Sequence, residues 1–585
     1  MIIVGIACYF HNASACILKD GKIIAAAMEE RFSRKKHDSS FPYDALKYCF
    51  EEAGITIDKV DFVAFYEKPI IKFERILSQH INHCPLSIKT FVKAMPSWAN
   101  TKLRVVSTIR KTLGYRGDIL FVPHHMCHAA SCFLPSPYEE AAIVTVDGVG
   151  EWSTTTWGVG KGNQIELKEE IRFPDSIGLL YSTITAMLSF RVNSGEYKVM
   201  GLSAYGNMDR KTNKYYKRLR SIVDLREDGS FHFDYRYFVY QYSDRMPSKA
   251  LYRLMDMDGP CRGDIKKKHS DIAAATQMLA EDILTSLLNA VQKRTKAKDL
   301  CMAGGVALNS VFNGKILSKT GFERVWIQPD ASDGGTSLGA AIYAYCCILD
   351  NKRVWRQEHA LLGPSFPSYD IKGFLDANKV KYSVFNTDEE LLKTTSRLIF
   401  DNKVIGWFQG RMEWGPRALG SRSILANPCN KDMQNILNAK VKHREKFRPF
   451  APVFCMDDAD RFLEVDKPIP EANEFMLMVY KIKERWRKLL PSITHVDGTG
   501  RPQLVRREIN RLYYDVIKEF GKLSGVPVLI NTSFNIRGEP IVCTPEDAFR
   551  CMMGTGIDYL VMDRFLIKRA DNPKHMWDSE ELAKD

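Results

Sequence analysis

Residues 141–159, AAIVTVDGVGEWSTTTWGV, decide the fold class of this chain. A six-residue strand ends in a polar glycine turn around Asp147, and the chain returns in a second strand at residues 154–159. A unit of the same plan opens the chain, where strands at residues 2–8 and 14–19 flank a polar turn. Two strand-turn-strand units of one plan predict a duplicated structure, with two lobes that face each other across a cleft.

Helices and further strands alternate outside these two units. Apolar residues recur at helical spacing in residues 42–54, 98–113, 270–294 and 335–349. Short strands are predicted at residues 60–65, 119–122, 300–302 and 325–327. This alternation indicates the α/β fold class.

A linker candidate separates two α/β segments. Residues 350–368 carry many charges and end in GPSFPS, where the periodic pattern lapses. Strands resume at residues 404–408, 449–454 and 526–530. We therefore predict two domains, which comprise residues 1–360 and 361–585.

The composition excludes several classes of protein. The chain has 585 residues, of which 45% are hydrophobic and 26% charged, and 83 Lys and Arg against 70 Asp and Glu give a net charge of +13. Because these values are typical of globular proteins, disorder, collagen and coiled coil are excluded as descriptions of the whole chain. No apolar run reaches the roughly 18 residues that span a bilayer, and the first residues lack a basic leader. The 14 cysteines include no CxxC pair, which favours free thiols and a cytoplasmic protein.

His124 and His128, in the sequence HHMCHAA directly after a strand, are the sharpest local signal. On a helix they lie one turn apart on the same face, so both imidazoles can reach one metal ion. Asp147 and Asp333 each follow a strand, where carboxylates point into the cleft of an α/β sheet. Two His and two Asp suit Fe(II), Mn(II) or Zn(II). The alternative is a capping histidine beside a solvated one.

Gly304 and Gly305 lie between a strand and the start of a helix, in CMAGGVALN. Paired glycines let the backbone approach a flat or charged ligand, and a helix N-terminus favours an anion. A tight packing turn is the alternative. The chain has no Walker A or GxGxxG sequence, so a P-loop or Rossmann site is not supported. The two turned units and this glycine pair match the plan of the actin-like ATPase superfold.

The second domain contains a set of basic, Ser and Asn residues in four motifs. Such side chains suit a small dianion such as a phosphate ester, which charge-assisted hydrogen bonds bind strongly. A run of solvated surface charges is the alternative, and it accounts well for Lys446. The candidates are Arg417, Lys442, Arg448, Arg501, Asn531 and Ser533.

Together these motifs resemble the O-carbamoyltransferase family that includes nodulation protein U and the cephem, aminoglycoside and ansamycin carbamoyltransferases. The resemblance runs from the first strand to about residue 568. The motifs that carry it, in chain order, are HNASA (11–15), ERFSRKKH (30–37), HHMCHAA (124–130), VDGVGE (146–151), KVMGLSAYG (198–206), AGGVALN (303–309), ASDGG (331–335), GPRALG (415–420), FRPFAP (447–452) and NTSFNIRGEPIV (531–542).

The resemblance implies an actin-like ATPase domain, which is a duplicated ribonuclease-H-like structure, followed by a YrdC-like α/β domain that forms carbamoyl-adenylate. An Fe(II)-type metal, with Mn, Zn or Mg as alternatives, would be bound by His124, His128, Asp147 and Asp333. ATP would be surrounded by Lys36, Gly148, Gly304, Gly305, Asn309 and Gly334. Carbamoyl phosphate and its activation site would involve Arg417, Lys442, Arg448, Arg501, Asn531 and Ser533. His11 corresponds to the candidate general base of the family. Asn12 stands where related sequences often have Asp, which weakens any role for a carboxylate there.

We therefore expect an enzyme, an ATP-dependent O-carbamoyltransferase. It would form carbamoyl-adenylate from carbamoyl phosphate and ATP, and transfer the carbamoyl group to a hydroxyl of a sugar or small natural product. A tRNA-modifying carbamoyl transferase and a nucleotide- and metal-binding scaffold without turnover are the alternatives. The chain has no recognisable RNA-binding module, so nucleic acid is not expected as a partner, nor is a membrane. A homodimer is compatible with the sequence. Residues 231–242, rich in aromatics, are a candidate acceptor-binding segment or an ordinary hairpin that packs on the core.

Overall fold

The computed structural model describes residues 1–442, 448 and 450–573. Lys446 and two positions of the FRPFAP motif, 447 and 449, lie outside the described residues. The chain divides into two compact units. The first contains Met1–Ala25 and Ser39–Gln357, and the second contains Ala26–Asp38 and Glu358–Asp585. Both units combine sheets with helices, so the predicted α/β class is confirmed.

Two five-stranded sheets share one plan. The first has the strands β1 (Ile2–Ala7), β2 (Ser14–Lys19), β3 (Lys22–Met28), β4 (Phe62–Phe65) and β5 (Asp118–Phe121). The second has β6 (Glu140–Val146), β7 (Ser153–Lys161), β8 (Gln164–Arg172), β11 (Asp299–Ala303) and β12 (Arg324–Ile327). Between β8 and β11 in the chain, β9 (Val223–Leu225) and β10 (Phe231–Phe233) form a separate hairpin.

The strand orders are β3-β2-β1-β4-β5 and β12-β11-β6-β7-β8. In each sheet the central strand pairs antiparallel with the strand that follows it and parallel with a later one. That later strand also pairs parallel with the edge strand beside it, as β4 does with β5 and β11 with β12. The repeat predicted from the two turned sequences is therefore present in the sheets.

The helices complete both units. Their bounds are α1 (Glu30–Ser33), α2 (Tyr43–Ala53), α3 (Pro69–Asn82), α4 (Ile88–Asn100), α5 (Val105–Leu113), α6 (His124–Phe133), α7 (Ile177–Met187), α8 (Glu196–Ser203), α9 (Lys214–Arg220), α10 (Lys249–Leu254), α11 (Lys267–Thr295), α12 (Ser310–Asn313), α13 (Ile316–Lys319), α14 (Thr336–Tyr343), α15 (Ser368–Ala377), α16 (Asp388–Phe400), α17 (Met433–Ile436), α18 (Ala459–Phe462), α19 (Glu484–Arg487), α20 (Arg511–Ser524) and α21 (Pro545–Met553). Within the described part of the chain, no helix has the length and apolar character needed to cross a membrane.

Helices α6 and α14 pack against each other at close range. A Cβ atom on Gly339 of α14 would lie 1.9 Å from the carbonyl oxygen of Cys127 in α6. A Cβ atom on Gly5 of β1 would lie 1.9 Å from the carbonyl oxygen of Ser337. Only glycine permits such approaches, so α14 fits tightly against both β1 and α6. Every residue of α6 except Met126 is buried.

Two predicted helices differ in detail from the structure. The helix predicted over residues 98–113 is interrupted, because the backbone leaves helical geometry at Thr101 and a 3-10 turn follows at Lys102–Arg104. The helix predicted over residues 335–349 is α-helical only to Tyr343 and continues as a π-helix at Ala344–Ile348. Helix α3 was not predicted.

The second unit is built on one mixed sheet of eight strands, in the order β13-β22-β21-β14-β15-β20-β16-β19. The strands of this unit are β13 (Ser383–Val384), β14 (Ile405–Phe408), β15 (Arg422–Ala426), β16 (Ala451–Cys455), β17 (Tyr480–Lys481), β18 (Thr499–Gly500), β19 (Gln503–Val505), β20 (Val528–Ser533), β21 (Tyr559–Met562) and β22 (Phe565–Lys568). Within the described residues, strands β17 and β18 form a separate two-stranded sheet.

Both faces of the eight-stranded sheet are covered. Trp407 and Leu529 belong to a buried cluster that includes residues of α16 and α20, whereas their neighbours Phe408 and Ile530 belong to a cluster with residues of α15 and α21. Successive side chains of a strand point to opposite faces, so helices lie on both sides of the sheet.

A short N-terminal segment, residues 26–38, belongs to the second unit. Arg34 donates hydrogen bonds to the carbonyls of Ile541 (2.8 Å) and Pro540 (3.0 Å). Arg31 donates to the carbonyl of Gly415 (2.9 Å). The ERFSRKKH motif thus contacts two motifs that lie hundreds of residues later in the chain. A single cut at residue 360 does not describe this arrangement, in which the later boundary lies after Gln357.

Candidate functional site

Four side chains predicted as metal ligands form one buried cluster in the first unit. His124 and His128 lie on α6, Asp147 follows β6, and Asp333 begins a short 3-10 helix that leads into α14. One ligand atom from each residue lies within 4.8 Å of all the others. The two Nε2 atoms are 3.1 Å apart, and His124 Nε2 lies 3.3 Å from Asp147 Oδ2. Asp333 Oδ1 is 3.8 Å from both Nε2 atoms.

Glu151 fixes the start of helix α6. Its carboxylate accepts the backbone N–H of His124 at 3.0 Å and 3.1 Å, and the N–H of Lys68 at 2.8 Å. A carboxylate at a helix N-terminus satisfies free amides and complements the helix dipole. Glu151 therefore orients the first turn of α6, which carries His124.

His125 faces away from the cluster although it lies between two of its members in sequence. Its Nδ1 lies 2.6 Å from Thr145 Oγ1, and its Nε2 lies 2.9 Å from the carbonyl oxygen of Ser153. Burial lowers the pKa of His125 to about 4. A neutral His125 thus anchors α6 to strands β6 and β7.

The electrostatics of the cluster fit a bound cation. Burial works against protonation of His124, but Asp333 and Asp147 outweigh it and raise its pKa to about 9. Burial also disfavours the Asp147 carboxylate, yet His124 and His128 hold its pKa well below the usual range. Asp333 Oδ1 is buried without a hydrogen-bond partner among the described residues. Two carboxylates and two converging imidazole nitrogens in a buried site are a donor set for a divalent metal ion.

The predicted nucleotide-binding glycines adjoin this cluster. The Gly305 N–H donates to Asp147 Oδ1 at 2.9 Å, so both oxygens of that carboxylate are engaged. Gly304 has φ +94°, and a Cβ there would lie 2.3 Å from the carbonyl oxygen of Val146. Residue 304 must therefore be glycine for the pair to lie against the end of β6.

Gly148 and Gly334 lie next to Asp147 and Asp333 in sequence. The Gly148 carbonyl accepts from Ser176 Oγ at 2.7 Å, and the Gly334 carbonyl accepts from Ser14 Oγ at 2.7 Å. A Cβ on Gly148 would meet nothing within 4 Å, so this turn borders open space.

Two other predicted nucleotide ligands are placed differently. The Asn309 amide is buried and exchanges hydrogen bonds with the Gln277 amide, at 3.0 Å and 3.2 Å. Asn309 Oδ1 also accepts the N–H of Phe312 and caps α12. Lys36 lies in a turn of the segment that belongs to the second unit. Their roles toward a nucleotide stay predictions.

His11, the predicted general base, follows β1 in the first unit and is half-buried. It is close enough to Asp333 and His128 to interact with both electrostatically. Its Nδ1 is buried and has no hydrogen-bond partner among the described residues. The imidazole is therefore beside the four-residue cluster and is not held as a structural donor through Nδ1.

In the second unit, Lys442 and Ser533 come together. Lys442 is buried, and its Nζ donates to Asn535 Oδ1 (2.8 Å), to the Asn535 carbonyl (3.1 Å) and to the Ser533 carbonyl. Ser533 Oγ donates to Asn535 Oδ1 at 2.7 Å. This arrangement leaves an ammonium group among oxygens at the end of strand β20.

Asn531, two residues earlier on the same strand, holds the GPRALG loop. Its Nδ2 donates to the carbonyl of Ala418 (3.0 Å) and to Gln503 Oε1 (2.7 Å), while its buried Oδ1 has no partner among the described residues. Gln503 in turn donates to the carbonyl of Leu419 (2.8 Å). Asn531 and Ser533 share a face of β20 because side chains alternate along a strand. The remaining candidates, Arg417, Arg448 and Arg501, are each half-buried.

Sequence reasoning missed Glu413 and Arg422, which shape the same loop. Glu413 Oε1 accepts the backbone N–H groups of Leu419, Ser421 and Arg422 at 2.6–3.1 Å. The Arg422 guanidinium is fully buried over the Phe408 ring, at 3.6 Å from its centroid. The one available signal was that these two residues flank GPRALG. No sequence pattern distinguishes them from charged residues on the surface.

The aromatic stretch of residues 231–242 packs largely inward. Phe231, Phe233 and Phe238 are buried, and Tyr240 donates to the carbonyl of Pro174. The description as a hairpin that packs on the core therefore applies to most of the stretch. The exposed His232 is bound by Asp175, at 3.0 Å.

Comparison with known proteins places this chain in a family. Residues 2–342 match the family described as carbamoyltransferase N-terminus, and residues 396–569 match the carbamoyltransferase C-terminus. The protein sll1178 of Synechocystis sp. is 42% identical over 99% of this chain and 98% of its own length. Nodulation protein NolNO of Sinorhizobium fredii is 34% identical over 97% of this chain and 80% of its own length.

Among solved structures, HypF of T. kodakarensis matches with a TM-score of 0.30 and 12% identity, over 58% of this chain and 46% of that chain. A similarity of this size carries no argument about fold or chemistry.

Proposed function

The chain belongs to the carbamoyltransferase family, and from this premise we propose that it is an ATP-dependent O-carbamoyltransferase with separate activation and transfer sites. The observation that carries the proposal is the buried cluster of His124, His128, Asp147 and Asp333, to which the glycine pair is hydrogen-bonded through Gly305. A buried cation site beside a glycine turn suits the phosphate of an adenylate.

We assign activation to the second unit, which would be a YrdC-like domain. Carbamoyl phosphate would lose its phosphate to water, and the resulting carbamate would displace pyrophosphate from ATP to give carbamoyl-adenylate. Lys442, with Arg417, Arg448 and Arg501, would bind the anionic oxygens. The Oδ1 of Asn531 is buried without a described partner, so it would accept from the carbamate amino group.

We assign transfer to the first unit, which would be an actin-like domain. A divalent cation bound there, with Fe(II) as first candidate and Mn, Zn or Mg as alternatives, would supply positive charge to the phosphate of the adenylate. His124 and His128 would present their Nε2 atoms, and Gly305 would hold Asp147 so that its Oδ2 faces them.

His11 would take the proton of the acceptor hydroxyl at an imidazole nitrogen. A neutral imidazole has one nitrogen that can accept a proton, which is what a general base does. The oxygen of the acceptor then bonds to the carbamoyl carbon, and AMP departs with the electron pair of the broken C–O bond.

The test is pyrophosphate release by the purified protein with ATP, carbamoyl phosphate and each divalent metal. We expect ATP-dependent pyrophosphate release in wild type and its loss in Lys442→Met. The matched control is Lys440→Met, at an exposed position two residues away. Mass spectrometry of a pooled metabolite extract, incubated with the enzyme and labelled carbamoyl phosphate, would identify the acceptor. A wild-type protein that releases no pyrophosphate contradicts the proposal.

A further inference from the structure

Three cations of the first unit lie outside the predicted sites and are close enough to interact electrostatically. Lys72 and Arg75 are on α3, and Lys102 begins the 3-10 turn that follows α4. Lys72 and Arg75 are only 7% and 6% exposed. We call these three residues the basic cluster.

The carboxylates of Glu67, Glu151 and Asp333 lie near the basic cluster. Glu67 forms an ion pair with Lys72, which uses one carboxylate and one cation. Glu151 accepts backbone N–H groups of Lys68 and His124 and is bound to neither remaining cation. Among the described residues, Arg75 and Lys102 form no ion pair with any carboxylate. Two of its three cations are therefore available to an anionic ligand.

Arg75 is the strongest indication of a missing partner. Its single hydrogen bond to a described residue runs from Nη1 to Gln79 Oε1, at 3.4 Å. Its Nε is buried without a described partner, and its guanidinium lies 5.0 Å from the Phe173 ring centroid. Burial of an unpaired charge is costly, and a guanidinium with a free edge matches the geometry of a carboxylate or phosphate. Burial lowers the pKa of Arg75 to about 10.

The basic cluster lies beside the proposed transfer site. Lys72 Nζ is 5.1 Å from the centroid of the Phe10 ring, and that ring is 4.5 Å from the ring of His11. Phe10 is 36% exposed, so the approach is not sealed from solvent. Glu151 binds both the chain that enters α3 and the start of α6. A small molecule whose hydroxyl lies at His11 would be long enough to reach the basic cluster.

We propose that the basic cluster binds an oxyanion carried by the carbamoyl acceptor, which is therefore an acidic hydroxylated compound. The identification of the bound compound as the carbamoyl acceptor rests on the proposed function, whereas the anion site itself does not. Arg75 and Lys102 contact the oxyanion, and Lys72, already paired with Glu67, adds to the local positive potential.

Isothermal titration with inorganic phosphate and, in a separate arm, with acetate tests the site. The metal-loaded protein with Lys442→Met serves as background, so that binding in the second unit is weakened equally in all samples. We expect binding of at least one anion, which Arg75→Gln and Lys102→Gln each weaken about tenfold. Lys93→Gln on α4, an exposed lysine paired with Asp244, is the matched control and should bind as the background does. Lys102 is half-buried, so Lys102→Gln keeps the test decisive if Arg75→Gln does not fold.

The two arms identify the source of the oxyanion: stronger phosphate binding indicates a phosphorylated acceptor, and stronger acetate binding indicates a carboxylic acid. If neither anion binds, or if Arg75→Gln and Lys102→Gln bind both as the background does, the proposal is overturned. Displacement of phosphate by saturating AMP would also overturn it, because the cluster would then belong to the nucleotide. Pyrophosphate release by the Arg75→Gln and Lys102→Gln proteins that retain Lys442 tests the proposed function separately from the anion site.

Discussion

Asp147 Oδ2 lies 3.3 Å from His124 Nε2, while Oδ1 accepts the Gly305 N–H at 2.9 Å. The main-chain carbonyl of Asp147 accepts from Ser176 Oγ at 3.1 Å. One residue thus joins the cluster, the glycine pair and the turn that precedes α7. The sequence predicted Asp147 from its place after a strand, but these three bonds depend on residues far away in the chain.

Glu151 offers a test of how α6 is positioned. Glu151→Ala leaves the buried N–H groups of His124 and Lys68 without their acceptor, so we predict weaker metal binding by roughly 10- to 100-fold. Competition with a chelating dye measures this affinity. Glu139→Ala, at an exposed position, is the control and should bind metal as wild type does. Equal affinities in the two variants would show that Glu151 does not position the ligands.

Glu474 predicts a pH dependence of stability in the second unit. Burial raises its pKa to about 7, although Arg506 Nε lies 2.9 Å from its Oε2. A raised pKa means that the folded state binds the proton more tightly, so its stabilisation is complete below about pH 4.5 and is lost as the pH rises to about 7. The free energy of unfolding should fall by roughly 3 kcal/mol over this window. Urea unfolding at several pH values measures it.

Glu474→Gln should remove that pH dependence, whereas Glu464→Gln, at an exposed position, should retain it. A stability of wild type that is flat between these pH values would contradict the prediction.

At the scale of elements, the close approach of α6 and α14 sets the geometry of the cluster, because one helix carries both histidines and the other follows Asp333. Gly339→Ala would place a Cβ 1.9 Å from the Cys127 carbonyl and force the helices apart. We predict a loss of roughly 3 kcal/mol or more in the free energy of unfolding, with weaker metal binding. Calorimetry and metal titration measure the two effects.

The control for this substitution is Gly373→Ala in helix α15, where a Cβ would meet nothing within 4 Å. It should stabilise the protein by about 0.4–1 kcal/mol, because alanine restricts the unfolded chain. If Gly339→Ala behaved like Gly373→Ala, the helix contact would not have the role assigned to it.

The proximity of His124 and His128 was predictable because, on a helix, a spacing of four residues corresponds to one turn. The duplicated sheets were predictable from two strand-turn-strand sequences of one plan. Helix α3 was not predicted, although it carries two members of the basic cluster. Its lysine and arginine resemble surface charges in the sequence, and only their burial in the folded chain distinguishes them.

At the scale of the whole molecule, the order of segments in the chain is not the order of the two units. Residues 26–38 begin within β3, yet they belong with the second unit, where Arg34 also forms an ion pair with Asp547 at 3.3 Å. Such a long-range partner leaves no periodic signal in the sequence. No pattern in the sequence therefore predicted that residues 26–38 belong with the second unit.

We propose that activation and transfer use different residues in different units. The most direct measurement follows pyrophosphate and the carbamoylated acceptor in parallel for Asp147→Ala, with Asp58→Ala, at an exposed position, as control. We predict that Asp147→Ala releases pyrophosphate as wild type does but forms no carbamoylated product, while Asp58→Ala forms both. Loss of both products in a folded Asp147→Ala protein would contradict the claim.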